Sequence, residues 1–391
     1  MDIKQVRDET PGVTHRVHLD NAGTGLMPKP VADAVKGHIV LEARIGGYEA
    51  EAQENERIEA AYSSVAKLIG AKKSEIAFAD NATVAWQRAF FAQTFSEGER
   101  ILIAEAEYAA NYVAYLQMHK RKGCVIDVIP NDASGATDPQ ALEKMIDDKV
   151  RLIAITWIPT NGGLVNPAAS IGKIARAHGI PYLLDACQAP GQMPVNVDEL
   201  GCDFLSATGR KFMRGPRGTG FLYVRSKMLG HIEPYMLDHY GAPWTAPQEY
   251  EMRSDARRFE TWERAPALHL GLGAAADYAL DIGLKSIRTR VTKLADNLRD
   301  ELDKMPRITV QDIGTQKCAI VTFTHEQIDS DAIKSAMSEE GINVSVSRAP
   351  STLLDAKARN LTDLVRVSPH YYNSEEELEI FLSVLRGVTG R

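Results

Sequence analysis

Cysteine is scarce in this chain. Its 391 residues hold four, Cys124, Cys187, Cys202 and Cys318, and no two form a CxxC pair. That excludes a cysteine-rich metal centre and a disulfide framework, and it points to a reduced, cytoplasmic protein. The ten histidines fall at no metal-ligand spacing, so no metal is expected. Dense positive charge is missing as well: no basic run occurs and the net charge is −7, which argues against a nucleic-acid partner. No apolar run reaches the roughly 18 residues of a membrane span, so no membrane partner is expected. The opening residues, Met1 to Glu9, are polar and lack the apolar stretch of a secretory signal. Internal repeats and low-complexity tracts are absent too.

What is present is an ordinary globular composition, 44% hydrophobic and 25% charged, over a length that allows two domains and a sizeable core. Short apolar runs alternate with helix-period stretches from about residue 60 to 225. The runs are Ile76–Phe78, Ile101–Ala104, Val125–Ile129, Leu152–Thr156, Tyr182–Leu184, Phe204–Leu205 and Gly220–Val224; Pro139–Met145 and Ala168–His178 are among the helical stretches. Such alternation predicts a mostly parallel sheet covered on both faces. Past Thr261 the pattern changes. One long helix is predicted from about Pro266 to Lys304. Strands follow at Ile308–Val310, Ala319–Phe323, Asn343–Ser347 and Leu364–Ser368, with helices over Asp329–Glu340 and Ser374–Arg386. The expected class is α/β: a large domain over residues 16–262, then a smaller α+β domain over 263–391 on which residues 1–15 pack. Asp238–Glu251, rich in Pro, Tyr and Trp, is expected to be an irregular loop near the site.

Two of the strands end in reactive side chains. Asp185 follows Ile180–Leu184 and opens Asp185-Ala-Cys-Gln188; Lys211 follows Asp203–Thr208 in Gly209-Arg-Lys211. In open α/β sheets ligands bind outside the carboxyl ends of strands. A carboxylate and a lysine delivered there together suit pyridoxal phosphate, which needs a lysine for its Schiff base and an acid to hold its pyridine nitrogen protonated. Taken singly, Asp185 reads as a turn or N-cap residue and Lys211 as a solvated surface residue. The pair directs attention to a phosphate cup, a stacking group and a carboxylate clamp. Asp80-Asn-Ala-Thr83 opens a helix after the strand at Ile76–Phe78, and the N–H groups of Ala82 and Thr83 would meet a phosphate; an ordinary N-cap has the same look. Thr208 and Arg210 flank the lysine and suit the same phosphate. Tyr108, in Glu107-Tyr-Ala-Ala-Asn111, stands at another strand end where it would stack on the pyridine ring. Gln188 suits the ring hydroxyl. Asn161, past the strand at Leu152–Thr156, suits that hydroxyl or a substrate carboxylate. Arg366 alternates with apolar neighbours on a predicted strand, and a guanidinium there suits bidentate capture of an α-carboxylate. Two glycine patterns are set aside. Gly271-Leu-Gly-Ala-Ala-Ala276 mimics a dinucleotide-binding turn but lies in helical sequence with no strand before it. Gly215-Pro-Arg-Gly-Thr-Gly220 lacks the Gly-Lys-Ser/Thr ending of a P-loop.

In this order the motifs resemble those of the class V aminotransferase group of fold-type I pyridoxal phosphate enzymes, which includes cysteine desulfurases, selenocysteine lyases and isopenicillin N epimerases. The resemblance runs from Leu19-Asp-Asn-Ala-Gly23 to Tyr372-Asn-Ser-Glu-Glu-Glu377. Asp185-Ala-Cys-Gln188 is similar to the group's Asp-x-x-Gln. Thr208-Gly-Arg-Lys211 is similar to Ser-Gly-His-Lys, with Arg210 a cation in place of histidine. Glu107-Tyr-Ala-Ala-Asn111 is similar to Glu-His-His-Ala-Asn, so Tyr108 replaces the stacking histidine. The resemblance implies that Lys211 carries the cofactor, that Lys211, Asp185 and Tyr108 do the catalytic work, that Arg366 binds the substrate carboxylate, and that a homodimer builds the site between subunits. Arg258-Phe-Glu-Thr-Trp262 resembles a segment that reaches the partner's phosphate; Glu263 falls at its threonine position, and Thr261 is the expected substitute.

One departure bears on the reaction. Desulfurases of the group carry a persulfide-forming cysteine ahead of the carboxylate arginine, and Asn343–Leu353 has none. The segments Arg210–Val224, Arg257–Glu263 and Asn343–Ser347 look most like those of the C–S lyase of ergothioneine biosynthesis and its relatives. The resemblance thus implies a C–S β-lyase that cleaves an S-substituted L-cysteine or its sulfoxide, through aminoacrylate, to pyruvate and ammonia. Lys211 would be the general base, and Arg348, Arg214 or the Asp238–Glu251 loop would shape the leaving-group pocket. An aminotransferase or an epimerase acting on a small amino acid is the alternative, since all three reactions share a carbanion at Cα; a non-catalytic binding protein fits the intact Lys211 and Asp185 poorly.

Overall fold

The computed structural model describes residues 1–390. Seven strands form its main sheet: β1 (Ile76–Ala79), β2 (Arg100–Ile103), β3 (Val125–Val128), β4 (Val150–Thr156), β5 (Tyr182–Asp185), β6 (Phe204–Thr208) and β7 (Gly220–Val224). Their spatial order is β1-β7-β6-β5-β4-β2-β3. β3, β2, β4, β5 and β6 run parallel, and β7 is antiparallel to both β6 and β1. The central strands are apolar almost end to end and buried, as Leu152 to Ile155 of β4 are, because helices cover both faces. The helices that matter here are α1 (Lys29–Ile45), α2 (Asn55–Ile69), α3 (Ala82–Phe91), α4 (Ala109–Lys122), α5 (Pro266–Ile282) and α6 (Leu284–Asp303).

Strand order reverses between β2 and β4, the place where open sheets form a crevice at their carboxyl ends. The register brings chemistry to that crevice. Thr156, the last residue of β4, stands opposite Asp185, the last residue of β5, and Asp185 stands opposite Ser206. Thr208 at the end of β6 pairs with Gly220 of β7, which pairs with Ala79 of β1. Helices α3 and α4 both begin at the same edge.

A second, antiparallel sheet has four strands, β8 (Ile308–Val310), β9 (Val321–His325), β10 (Ser345–Ser347) and β11 (Leu364–Val367), in the order β8-β9-β11-β10. The N-terminal segment is tied to this part of the chain: Val17–His18 pairs with Ile342–Asn343, and Asp20 forms a bridge to Ser368.

Two sequence expectations, the long helix and the irregular loop, need correction. The single helix over Pro266–Lys304 is two helices, α5 and α6, parted by Gly283 at φ +91°, a conformation that costs glycine little. Gly271 and Gly273 are close-packing positions in α5: a Cβ on Gly271 would lie 2.5 Å from Val35 Cγ2 of α1, and one on Gly273 would lie 2.6 Å from Ala61 Cβ of α2. The Asp238–Glu251 loop contains a small exposed hairpin, Trp244–Ala246 with Glu249–Tyr250.

Arg214 also departs from expectation. It is fully buried and donates to the Leu26 carbonyl at 2.7 Å, to Tyr371 Oη at 2.8 Å and to Thr10 Oγ1 at 2.6 Å. Its guanidinium lies 4.5 Å from the centre of the Tyr372 ring. It clamps the two ends of the chain to the main sheet, and it does not line the cleft described below.

Candidate active site

A cleft of about 450 Å³ opens at the carboxyl edge of the main sheet. Asp185 reaches it from β5 and Lys211 from just past β6. Asp185 Oδ2 accepts from Asn111 Nδ2 and Oδ1 from the Cys187 N–H, each at 2.9 Å. Burial pushes the Asp185 carboxyl up, while these bonds and the nearby Lys211 charge pull it down. Lys211 is pushed the other way: burial lowers its pKa, and the charges of Arg210 and Arg366 lower it further. Burial of this kind favours the free amine, the form that attacks a carbonyl or takes a proton. Burial raises the Cys187 thiol, and the nearby Lys211 charge pulls it back.

The opposite wall is the start of α3. Asn81 caps that helix, its Oδ1 accepting from Val84 N at 2.9 Å, and the N–H groups of Ala82 and Thr83 are among those that have no acceptor within the helix. Both residues line the cleft. β7 passes close beneath them: a Cβ on Gly220 would come within 2.6 Å of the Asn81 carbonyl carbon and 2.9 Å of Ala82 N. Thr208 and Arg210 line the same end. Thr208 Oγ1 donates to the Thr219 carbonyl at 3.1 Å, and Arg210 donates to the Gly23 carbonyl. Tyr108, at the N-cap of α4, completes the wall on the side of Asn111.

These residues fit pyridoxal phosphate. A helix N-terminus with a guanidinium beside it suits the phosphate, and a buried carboxylate suits the ring nitrogen. Gln188 supplies an independent sign: its Nε2 donates to the Ala22 carbonyl at 3.2 Å, and its Oε1 is buried without a partner where it lines the cleft. An orphaned buried acceptor calls for a donor, and the ring hydroxyl is one.

The structure thus brings together Ala82, Thr83, Tyr108, Asp185, Gln188, Thr208, Arg210 and Lys211, and it treats the other expected residues differently. Arg366 is buried behind the cleft rim. It donates to Thr160 Oγ1 at 2.7 Å, to Ser345 Oγ at 3.0 Å and to Asp20 Oδ1 at 3.1 Å; of these partners Thr160 lines the cleft. Asn161 does not offer its amide to the cleft: Nδ2 donates to the Arg348 carbonyl at 3.1 Å and Oδ1 accepts from Ser347 Oγ at 2.6 Å, so it fastens β10 to the main sheet. Arg348 turns its guanidinium to Asp331 and Asp363 at 2.7 Å, because two carboxylates outcompete a polar cleft for it. Thr261 is exposed and donates to the Glu263 carbonyl at 3.2 Å; it does not line this chain's own cleft. The Asp238–Glu251 loop contributes no lining residue either.

Sequence reasoning missed Thr156, Thr160 and Cys187 as lining residues, and it gave Asn111 no role. The signal for Thr156 and Thr160 was their position at and just past a strand end. For Cys187 it was the two-residue spacing from Asp185.

Comparison with known proteins agrees with this geometry. The family model described as aminotransferase class-V matches residues 17–381. A probable cysteine desulfurase of Methanothermobacter thermautotrophicus is 28% identical over 396 residues, covering 100% of this chain and 99% of that protein. One from Xylella fastidiosa is 30% identical over 407 residues, covering 98% and 95%. Among solved structures, the apo cysteine desulfurase of Thermococcus onnurineus superposes with a TM-score of 0.92 at 26% identity, covering 99% of this chain and 98% of that one. A cystine C–S lyase in complex with its product cysteine persulfide gives a TM-score of 0.87 at 22% identity, covering 96% and 98%; at that identity the likeness shows the fold alone.

Proposed function

The chain belongs to the class V aminotransferase family, and we propose that within it the protein is a pyridoxal-phosphate-dependent C–S β-lyase acting on an S-substituted L-cysteine or its sulfoxide. The observation that carries this reading is the meeting of Lys211, Asp185 and the start of α3 in one cleft, with serines and no cysteine on the strand that faces Arg366. The relatives named above as cysteine desulfurases support C–S cleavage as the type of reaction. The resemblance of Arg210–Val224 and Asn343–Ser347 to the ergothioneine-biosynthesis lyase is what brings sulfoxides into the substrate class.

When bound, the cofactor supplies an electron sink for negative charge at the substrate Cα. The chain's residues do the rest. The N–H groups of Ala82 and Thr83, with Arg210, hold the phosphate. Asp185, fixed by Asn111 and the Cys187 N–H, keeps the ring nitrogen protonated. Gln188 takes the ring hydroxyl, and Tyr108 covers the ring face. Arg366 binds the substrate carboxylate at the Thr160 rim. Lys211, held in the cleft beside Asp185 and Cys187, removes the Cα proton as general base. The β-sulfur group then departs, and the released aminoacrylate hydrolyses to pyruvate and ammonia.

A homodimer fits the surface. Tyr48, Tyr235, Met236, Trp244, Tyr250 and Trp262 are all at least half exposed, large apolar side chains that a second copy of the chain would cover. Thr261, next to Trp262 and exposed, would face a partner's cleft. No helix among the described residues is long and apolar enough to cross a membrane, and the four free cysteines suit the cytoplasm.

The test is pyruvate and ammonia release by the holo-protein from a panel of S-substituted L-cysteines and their sulfoxides. Turnover is expected in the wild type, with a loss of about a thousandfold or more in Lys211→Ala. A 2-oxo acid bearing the intact side chain would make the protein an aminotransferase. An inverted Cα without cleavage would make it an epimerase.

A further inference from the structure

Behind Asp185 lies a second buried carboxyl group that the reading above leaves unused. Glu107 follows β2 and is almost wholly inaccessible. All its donors converge on one oxygen: Oε1 accepts from Asn111 Nδ2 at 2.9 Å, from the Tyr108 N–H at 3.0 Å and from Thr156 Oγ1. Oε2 is buried and has no partner. The Asn111 amide is therefore a bridge, with one hydrogen on Glu107 and the other on Asp185 Oδ2. Two carboxylates that share one neutral amide in a dry site repel each other, and the bare Oε2 is the atom on which a proton relieves that repulsion.

We propose that Glu107 is a positioning residue for Asp185: through Asn111 it fixes the Asp185 carboxylate toward the cofactor's ring nitrogen, and by losing or gaining a proton on Oε2 it strengthens or weakens the negative potential there. The proposal rests on Asp185 serving the ring nitrogen as described above. The titratable groups that face Glu107 are Asp185 from β5 and Tyr115 from α4, with Lys211 and Cys187 beyond Asp185. Tyr115 Oη is itself buried and unpartnered, and burial and the two carboxyls hold its pKa well up, so it remains neutral. Lys211 is the cation that faces Asp185 from the cleft side. Burial pushes the Glu107 carboxyl up to about 7, against the opposing hydrogen bonds of Thr156 and Asn111. As pH rises through that range, a second negative charge appears behind the ring nitrogen.

The test is the dissociation constant of pyridoxal phosphate for the full-length protein at about pH 6 and about pH 8.5, on either side of that transition. Glu107→Gln keeps the Oε1 acceptor and cannot ionise. It is expected to match the wild type at the lower pH and to bind about tenfold more weakly at the higher, the effect of one pKa unit of coupling. Thr156→Val removes one donor to Oε1, raises the transition, and shrinks the affinity that the wild type gains between the two pH values. Equal constants for E107Q and wild type at both pH values would overturn the proposal. So would an equal weakening at both, which is what a role in packing alone produces. Should E107Q not fold, T156V decides: a reduced gain supports the proposal and an unchanged gain overturns it. Failure of the wild type to bind the cofactor at either pH would sink the cofactor reading itself, and this proposal with it.

Discussion

The guanidinium of Arg366 and the carboxylate of Asp20 stand 3.1 Å apart across 346 residues of sequence. The same Asp20 Oδ1 accepts from Ser345 Oγ at 2.8 Å, and Ser345 Oγ accepts from Arg366 Nε at 3.0 Å. The arginine assigned to the substrate carboxylate is thus already in contact with a carboxylate of its own chain. An incoming α-carboxylate has to share it or displace Asp20.

Asp20→Asn isolates that competition. The amide oxygen still accepts from Arg366 and Ser345, and only the charge is lost. Substrate KM is expected to fall about fivefold, the worth of a partly exposed ion pair of about 1 kcal/mol, with kcat little changed. Steady-state kinetics on any cleaved substrate reads this directly. A higher KM with unchanged kcat would mean that Asp20 orients Arg366 instead of competing for it.

Glu260 sets a stability prediction with a definite sign. It is buried, accepts from Tyr62 Oη at 2.8 Å and from the Phe78 N–H at 2.7 Å, and is pushed by burial from 4.5 up to about 7. Between those values the folded protein keeps a proton that the unfolded chain has released, so folding stability falls as pH rises through the window. Glu260→Gln removes the titration. Its advantage over wild type is expected to grow across the window by about 3 kcal/mol, from a starting deficit of about 1 kcal/mol for the imperfect bond to Tyr62. Urea denaturation of both proteins from acid to mildly alkaline pH measures the difference, in which the similar behaviour of Glu107 cancels. Parallel pH profiles would show that Glu260 ionises like an exposed carboxyl.

What could be read in the sequence was local. Asp185 and Lys211 stand at or just past strand ends, and strand ends are visible as the close of apolar runs; the same holds for Thr208 and for the start of α3. What could not be read depends on partners remote in sequence. Asn161 past a strand end suits a ligand and an inter-sheet tie equally well, and only Ser347, 186 residues away, decides for the tie. Arg348 is claimed by Asp331 and Asp363, and nothing in its own neighbourhood announces that. The break at Gly283 was hidden for another reason: an isolated glycine is tolerated in helical sequence, and only the structure shows its positive φ. Asp20 drew no notice because an aspartate after a strand is ordinary until Arg366 is placed beside it.

Cys187 carries the prediction that separates a lyase from a sulfur-transferring enzyme. It is the one cysteine of the four that lines the cleft, which makes it the obvious candidate to accept sulfur. Its surroundings argue otherwise. Burial raises its pKa, although the Lys211 charge pulls it back, and a thiol held in the protonated form is a poor nucleophile. What Asp185 takes from this residue is the backbone N–H, at 2.9 Å, and any substitution keeps it. Cys187→Ala should therefore leave the Asp185 geometry intact and change kcat/KM by no more than about threefold, less than one pKa unit of effect on Lys211. In parallel, Cys187 of the native protein should resist iodoacetamide at neutral pH and become reactive on unfolding. A larger loss of sulfur release in the variant, together with a sulfur adduct on Cys187 by mass spectrometry in the wild type, would show that the thiol takes the leaving sulfur, and the protein would then share the sulfur-transfer chemistry of the desulfurases it is similar to.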